Sequence, residues 1–158
     1  MIKAGVGRSN NPDAAKAGAE AAERALAKAG GKAELIIVFS TVAYDQEKTL
    51  KGVRSISGEI PLVGCSDFGE ITTAGPVSKH IAAMALSSDT IDFTIGIGEG
   101  TDKDSYKAGA TAAGEVKKKA KESPSLFMML LDGLAENGAA AVRGVQEVFG
   151  PPLFSRCR

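Results

Sequence analysis

The sequence has little of the chemistry on which metal sites and disulfide scaffolds depend. It contains no tryptophan, one histidine and two cysteines, and only 5% of its 158 residues are aromatic. One histidine and two distant cysteines, Cys65 and Cys157, predict neither a metal cluster nor a disulfide framework. We therefore expect no metal and no cofactor, and a reducing cytoplasm as the location.

An excess of charge of one sign is also missing. Lys+Arg and Asp+Glu are balanced at 19 each, so no overall field attracts nucleic acid or an anionic membrane. The amino terminus has no long apolar run of the signal-peptide type. No apolar stretch of the sequence is long enough to span a bilayer. We expect neither a nucleic-acid partner nor a membrane partner.

What is present is an alternation of apolar strands and small-residue helices. Residues 3–7, 35–39 and 60–64 are predicted strands. The first helix is predicted from the Asn10-Asn11-Pro12-Asp13 start to about Lys28, with a small-residue face that should lie close to a sheet. The second helix begins near Asp45 and ends at Gly58. Its predicted inward residues are Leu50, Val53 and Ile56.

The middle of the chain changes character and then the first pattern returns. Short strands near residues 70–73, 81–86 and 91–98 predict an antiparallel segment that extends the sheet. A third helix follows, with Tyr106, Gly109 and Val116 among its predicted inward residues. Residues 126–131 are a predicted buried strand, residues 136–149 a helix, and Pro152-Leu153-Phe154 the start of another strand.

An offset of 91 residues indicates an internal duplication. Lys16-Ala17-Gly18-Ala19 recurs as Lys107-Ala108-Gly109-Ala110, and Pro61-Leu62 recurs as Pro152-Leu153. Convergence of two βα units on alanine-rich helices is the alternative. The predicted fold class is α/β, a mixed sheet with two βαβαβ-like pseudo-repeats, about 3–66 and 93–155, and an antiparallel β insertion between them. We expect one domain over residues 1–158.

The chain is organised around residues 60–70, where an apolar strand ends in Gly64-Cys65-Ser66. Gly64 lets the backbone approach another backbone or a ligand, and ligands in open α/β sheets collect at the carboxyl ends of strands. Ser40 and Tyr44 follow the neighbouring strand. Cys65 is either a small residue in a tight strand end, a contact to a ligand, or the nucleophile of a thiol-dependent hydrolase or acyl-transfer enzyme.

Other polar positions offer weaker alternatives. Arg8 and Ser9, before the first helix, would hold a carboxylate or phosphate, or lie in a solvated loop. Asp132 would take a ligand amine or form a turn. Gly96-Ile97-Gly98-Glu99-Gly100 hints at a phosphate loop, but it lacks the lysine and the serine or threonine of a P-loop and fits a strand-to-helix turn better.

Taken together, the motifs and their order resemble the amino-terminal domain of the FIST family of sensory proteins. The motifs that carry the resemblance are Gly7-Arg8-Ser9, Ala17-Gly18, residues 35–40, Tyr44-Asp45, Val63-Gly64-Cys65-Ser66, Gly69-Glu70-Ile71 and Leu131-Asp132-Gly133. The resemblance implies a sensor of small ligands, often proposed to be amino acids or related metabolites, that is linked to signalling proteins or domains. It brings no catalytic residues. The predicted ligand-binding residues are Arg8, Ser9, Ser40, Tyr44, Gly64, Cys65, Ser66 and Asp132.

The carboxyl-terminal sequence departs from the family pattern. The family continues with a Gly-Gly-Ser-Ala-Gly-like turn and a further FIST domain, whereas Ser155-Arg156-Cys157-Arg158 stand in that place here. We therefore expect a truncated FIST N domain. An uncovered strand or sheet edge favours self-association, in the simplest case as a homodimer. A scaffold without a ligand is the third functional alternative.

Overall fold

The structure is a computed structural model that describes residues 1–72, 75–134 and 137–150, with the side chain of Glu70 excluded. The chain divides into two compact units at the Asp92–Phe93 boundary. The first unit contains β1 (Ile2–Ser9), α1 (Ala14–Ala29), β2 (Leu35–Thr41), α2 (Gln46–Ser57), β3 (Leu62–Asp67), β4 (Glu70–Thr72), β5 (Gly75–Val77) and β6 (Ile81–Ser88). The second contains α3 (Thr101–Lys119) and α4 (Gly138–Phe149).

The first unit is built on a four-stranded mixed sheet in the order β1-β6-β2-β3. Strand β6 is antiparallel to both β1 and β2, and β2 is parallel to β3. The α/β class with a mixed sheet is therefore confirmed. Ile36 and Val38 of β2 and Ala83 and Ala85 of β6 form the core together with the alanines of α1.

The antiparallel segment does not extend the sheet as expected. Its longest strand, β6, lies inside the sheet between β1 and β2, while β4 and β5 form a separate two-stranded sheet. Ala83 and Ala85 of β6 are 2% and 0% exposed, and their small side chains fit under α1. Residues 91–98 belong to no strand. The Ser88 hydroxyl accepts the N–H groups of Thr90 and Ile91 directly after the end of β6.

Helix α1 has the boundaries that its local signals predict. The Asp13 side chain accepts the Lys16 N–H at 3.0 Å, and Gly30 ends the helix with a φ of 95°. Its small-residue face lies close to the sheet, as expected. A Cβ added to Gly5 or Gly7 of β1 would lie 2.1 Å from the Ala25 oxygen or 2.0 Å from the Ala21 oxygen.

The predicted inward face of α2 is partly wrong. Leu50 and Ile56 are 45% and 40% exposed, whereas Val53 is fully buried. The helix is turned so that Gly52 faces α1, where an added Cβ would lie 1.9 Å from the Ala15 oxygen. Backbone-to-backbone contact at a glycine leaves the larger side chains at the margin of the interface.

The second unit contains a helix pair with the same kind of contact. A Cβ on Gly109 of α3 would lie 2.1 Å from the Ala141 oxygen, and one on Gly144 of α4 would lie 2.0 Å from the Tyr106 oxygen. Tyr106, predicted inward, is 40% exposed, and its hydroxyl hydrogen-bonds the Glu147 carboxylate. Residues 126–131 form no strand in this unit. Glu136 and the predicted strand start at 152–154 lie outside the described residues.

Candidate functional site

Three of the predicted ligand-binding serines share one row across the sheet. Ser9 pairs with Ile81, Ile81 pairs with Ser40, and Ser40 pairs with Ser66. Because side chains alternate along strands, these residues lie on the same face as Ile36 and Val38. Ser9 and Ser40 are buried on this face, whereas Ser66 is exposed. The row marks the carboxyl ends of β1, β2 and β3, which is the edge where the sequence places a ligand.

The β2–β3 end of this row has polar atoms without partners. Ser40 is 3% exposed, and its hydroxyl oxygen has no hydrogen-bond partner among the described residues. One residue further along, and therefore on the other face of the sheet, Thr41 pairs with Asp67, whose buried Oδ1 also lacks a partner there. A buried polar group left unpaired costs about 1–3 kcal/mol. Two of them on adjacent strand ends indicate a place where further hydrogen bonds can form.

The β1 end of the row is occupied by an internal carboxylate. The Ser9 hydroxyl and the Asn11 side-chain amide each donate to a different Glu20 oxygen at 2.8 Å. These hydrogen bonds, with a smaller contribution from Arg24, hold the pKa of Glu20 below its ordinary value of 4.5. The donors expected to bind an anion therefore bind a side chain of α1, while the Arg8 side chain is exposed.

Tyr44 braces the loops around the site. Its hydroxyl donates to the Asn11 carbonyl at 2.8 Å and lies 3.4 Å from the Lys79 carbonyl. These bonds connect the segment after β2 with the segments after β1 and before β6. Tyr44 thus fixes the shape of this edge of the sheet.

Gly64 allows the backbone of β3 to lie close to that of β2. A Cβ at this position would lie 1.9 Å from the Val38 oxygen. Of the two alternatives that the sequence left open, backbone approach to backbone is the one observed.

Cys65 lies on the opposite face from Ser66 and is an exposed free thiol. Partial desolvation, and secondarily the Asp67 carboxylate, raise the pKa of Cys65 above its ordinary value of 9.0. A nucleophilic thiol needs the opposite shift. The only histidine, His80, has its Nδ1 2.7 Å from the Ser78 carbonyl oxygen.

Asp132 lies in the second unit. It is exposed, and its Oδ1 accepts the Leu134 N–H at 2.9 Å, which is the hydrogen bond of a turn. Gly96 and Gly98 also have a local role, because an added Cβ at either would lie within 2.2 Å of a carbonyl oxygen of α3. Asp132 therefore forms the turn that was its structural alternative. The strand-to-helix turn expected at Gly96 and Gly98 is not formed, because residues 91–98 belong to no strand.

Sequence reasoning missed two carboxylates of this region, Asp67 and Glu20. Asp67 directly follows the predicted contacts Cys65 and Ser66, so its place at the strand end was the available signal. Glu20 does not belong to the small-residue face predicted for the first helix, and its bonds to Ser9 and Asn11 depend on the fold. Among the described residues, no three His, Cys, Asp or Glu side chains cluster as metal ligands. No helix in the described ranges is long and apolar enough to cross a membrane.

Comparison with models of known families identifies the family to which the chain belongs. Residues 34–154 match the profile of the FIST N domain. The chain belongs to the FIST family. FIST domains are sensory and signal-transduction domains, and the resemblance carried by the sequence motifs is thereby confirmed. A search of curated proteins found no match to this FIST chain.

Solved structures show partial similarity to FtsZ from M. jannaschii. A tryptophan-to-tyrosine mutant of FtsZ is 15% identical, with a TM-score of 0.37, over 55% of this chain and 27% of that chain. An empty FtsZ dimer is 14% identical, with a TM-score of 0.32, over 59% and 32% of the respective chains. The FIST chain thus spans about a third or less of those FtsZ chains.

Proposed function

We propose that this FIST chain is a sensory domain that binds a small ligand at the carboxyl ends of β2 and β3. The observation that supports the proposal is the unpartnered pair of buried polar atoms there, Ser40 Oγ and Asp67 Oδ1. The ligand contacts are Ser40 and Ser66 on one face of the sheet and Asp67 at the end of β3, with Cys65 on the same face as Asp67. Ser9 and Tyr44 hold the surrounding loops through the bonds already described.

The donor set favours an amino acid or a related small metabolite. A carboxylate such as Asp67 accepts hydrogen bonds from an ammonium group, and serine hydroxyls donate to a carboxylate. Ser40 and Ser66 lie on neighbouring strands about 4.8 Å apart, whereas Asp67 follows at the next register position. Asp67 lies on the opposite face of the sheet from these two serines, so a ligand that meets all three lies over the ends of β2 and β3 and not on one face.

Signalling follows if the ligand favours one arrangement of these loops. A ligand shifts a conformational equilibrium only by its difference in affinity for the two states. Tyr44 links three loops at this edge, so a shift in the loop after β2 changes the surface that a signalling partner meets. The exposed free thiol of Cys65 suits a reducing cytoplasm.

A thermal-shift screen of amino acids and small carboxylates tests the proposal. A ligand present at 100 times its Kd stabilises the native state by about 2.7 kcal/mol. Asp67→Asn removes a charged hydrogen-bond partner and should weaken binding about tenfold or more. Ser66→Ala should also weaken it, whereas Ser55→Ala, an exposed serine of α2, should not.

Two outcomes count against the proposal. One is a screen in which no amino acid or carboxylate raises the midpoint. The other is a ligand whose affinity is the same for the wild type, Asp67→Asn and Ser66→Ala.

A further inference from the structure

Three large apolar side chains are exposed beside the carboxyl ends of β2 and β3. Val42, directly after β2, is 53% exposed, and Phe68, directly after β3, is 90% exposed. Ile71 of β4 is 88% exposed. Phe68 and Ile71 have the highest exposures of the large apolar side chains that the structure describes in residues 1–92. Single apolar side chains on a surface are ordinary, whereas a contiguous apolar patch indicates an interaction site.

The backbone brings these three residues together. The Val42 N–H donates to the Asp67 carbonyl at 2.8 Å, so it hydrogen-bonds the peptide group that joins Asp67 to Phe68. Strand β4 follows closely along the chain and lies next to both β2 and β6. Ile71 is the middle residue of β4 and pairs with Pro76, which is also exposed. The side chains of Val42, Phe68 and Ile71 therefore form one patch at the strand ends, which we call the apolar patch.

The apolar patch adjoins the polar atoms of the proposed ligand site. Ser40 Oγ and Asp67 Oδ1 are the buried atoms without a partner there. Phe68 directly follows Asp67, so the Cα atoms of the two residues are about 3.8 Å apart. Small-molecule sites are lined mainly by apolar side chains, with a few polar groups that fix the orientation of the ligand. This edge of the sheet combines both kinds of group.

We propose that the apolar patch is the side-chain subsite of the ligand site, and that the ligand is a free amino acid with an aliphatic or aromatic side chain. This inference rests on the proposed function, because the serines and Asp67 of that site hold the carboxylate and ammonium groups of the ligand. The side chain of the ligand packs against the apolar patch. The ligand thereby covers Phe68 and Ile71, which are exposed in the free protein.

The chemistry of the apolar patch disfavours a polar side chain on the ligand. Val42, Phe68 and Ile71 have no polar side-chain atoms, so an amide or a charge buried among them would lose its hydrogen bonds to water without replacement. Each buried methylene group, by contrast, increases affinity about fourfold. Leucine and asparagine have side chains of nearly the same shape. A comparison of these two amino acids therefore isolates the effect of polarity.

Isothermal titration calorimetry of the full chain with alanine, leucine and asparagine tests the proposal. Leucine should bind about tenfold or more tighter than alanine, whereas asparagine should bind no tighter than alanine. Phe68→Ala should weaken leucine binding about fivefold or more and leave alanine binding unchanged, because only the longer side chain reaches Phe68.

Ile2→Ala is the matched control for this variant. Ile2 is 55% exposed and pairs with Ser88 at the opposite end of the sheet, so its truncation should leave leucine binding unchanged. Because Phe68 is exposed, Phe68→Ala should have an unfolding midpoint without ligand close to that of the wild type.

The contrary outcomes separate this inference from the proposed function. Equal affinities for alanine and leucine, both weakened by Asp67→Asn, would overturn the apolar subsite and leave the ligand site standing. Phe68→Ala that weakens alanine and leucine equally, or that leaves leucine binding unchanged, would also overturn the subsite. Absence of binding by all three amino acids would overturn this inference, and the proposed function fails with it if no compound of the thermal-shift screen binds.

Discussion

Gly64→Ala distinguishes a glycine needed for strand pairing from one needed for a ligand. The new Cβ would lie 1.9 Å from the Val38 oxygen, about 1.6 Å inside the ~3.5 Å of an optimal contact. The obstacle is the backbone of β2, so it cannot be relieved by a side-chain rotation. Strands β2 and β3 must separate, although their ladder needs a spacing of about 4.8 Å.

The size of the effect follows from the packing and from the ladder. Overpacking a core costs about 1–3 kcal/mol, and each weakened ladder hydrogen bond costs about a further 1 kcal/mol. We expect Gly64→Ala to lower the free energy of unfolding by about 3 kcal/mol or more in urea titrations. For a chain of this size, that corresponds to a fall in Tm of about 6–12 °C. A variant within about 0.5 kcal/mol of the wild type would refute the close approach of the two strands.

The remaining predictions concern α3, Glu20 and Cys65. Gly109→Ala should destabilise the chain by about 1–3 kcal/mol because its Cβ meets α4. A Cβ added at Gly114 in the same helix has no atom within 4 Å, so Gly114→Ala should stabilise the chain by about 0.5–1 kcal/mol. Equal effects of the two changes in urea titrations would contradict the contact between α3 and α4. The pKa of Glu20 is lowered by its bonds to Ser9 and Asn11, so its stabilisation is present above an unfolded pKa of about 4.5 and is lost as the pH falls through the lower folded value. Glu20→Gln should therefore reduce the loss of stability below pH about 4.5, and an unchanged pH profile would count against the network. Iodoacetamide should modify Cys65 more slowly at neutral pH than a small free thiol because the pKa of Cys65 is raised; faster modification, mapped by mass spectrometry, would revive the thiol-enzyme alternative.

Elements with local signals could be predicted well from the sequence. Helix α1 begins after Asp13 and ends at Gly30. Both boundaries are predictable because a side-chain cap and a left-handed glycine act on neighbouring residues only. The position of β6 between β1 and β2 could not be predicted in this way. It depends on pairing between residues far apart in the chain, such as Gly7 with Ala83 and Val38 with Ala83, and local patterning does not specify strand order.

The neighbouring positions of Ser40 and Ser66 were predictable from the sequence, but the hydrogen bonds around them were not. Ser40 and Ser66 were identified because each follows an apolar strand, and the register places them side by side. The hydrogen bond from the Ser9 hydroxyl to the Glu20 carboxylate depends on how α1 lies over β1. Periodicity also predicted Leu50 on the inward face of α2, but the contact of Gly52 with α1 leaves Leu50 exposed.

Amide chemical-shift mapping with the first stabilising amino acid or carboxylate tests the central claim most directly. The account predicts that the largest saturable shifts fall on residues 40–42 and 65–67, and that Asp67→Asn reduces them at equal ligand concentration. Residues of α2 far from the strand ends, such as Ser55, should shift little. Largest shifts at the opposite end of the sheet, around Lys3 and Ser88, would contradict a ligand site at the carboxyl ends of β2 and β3.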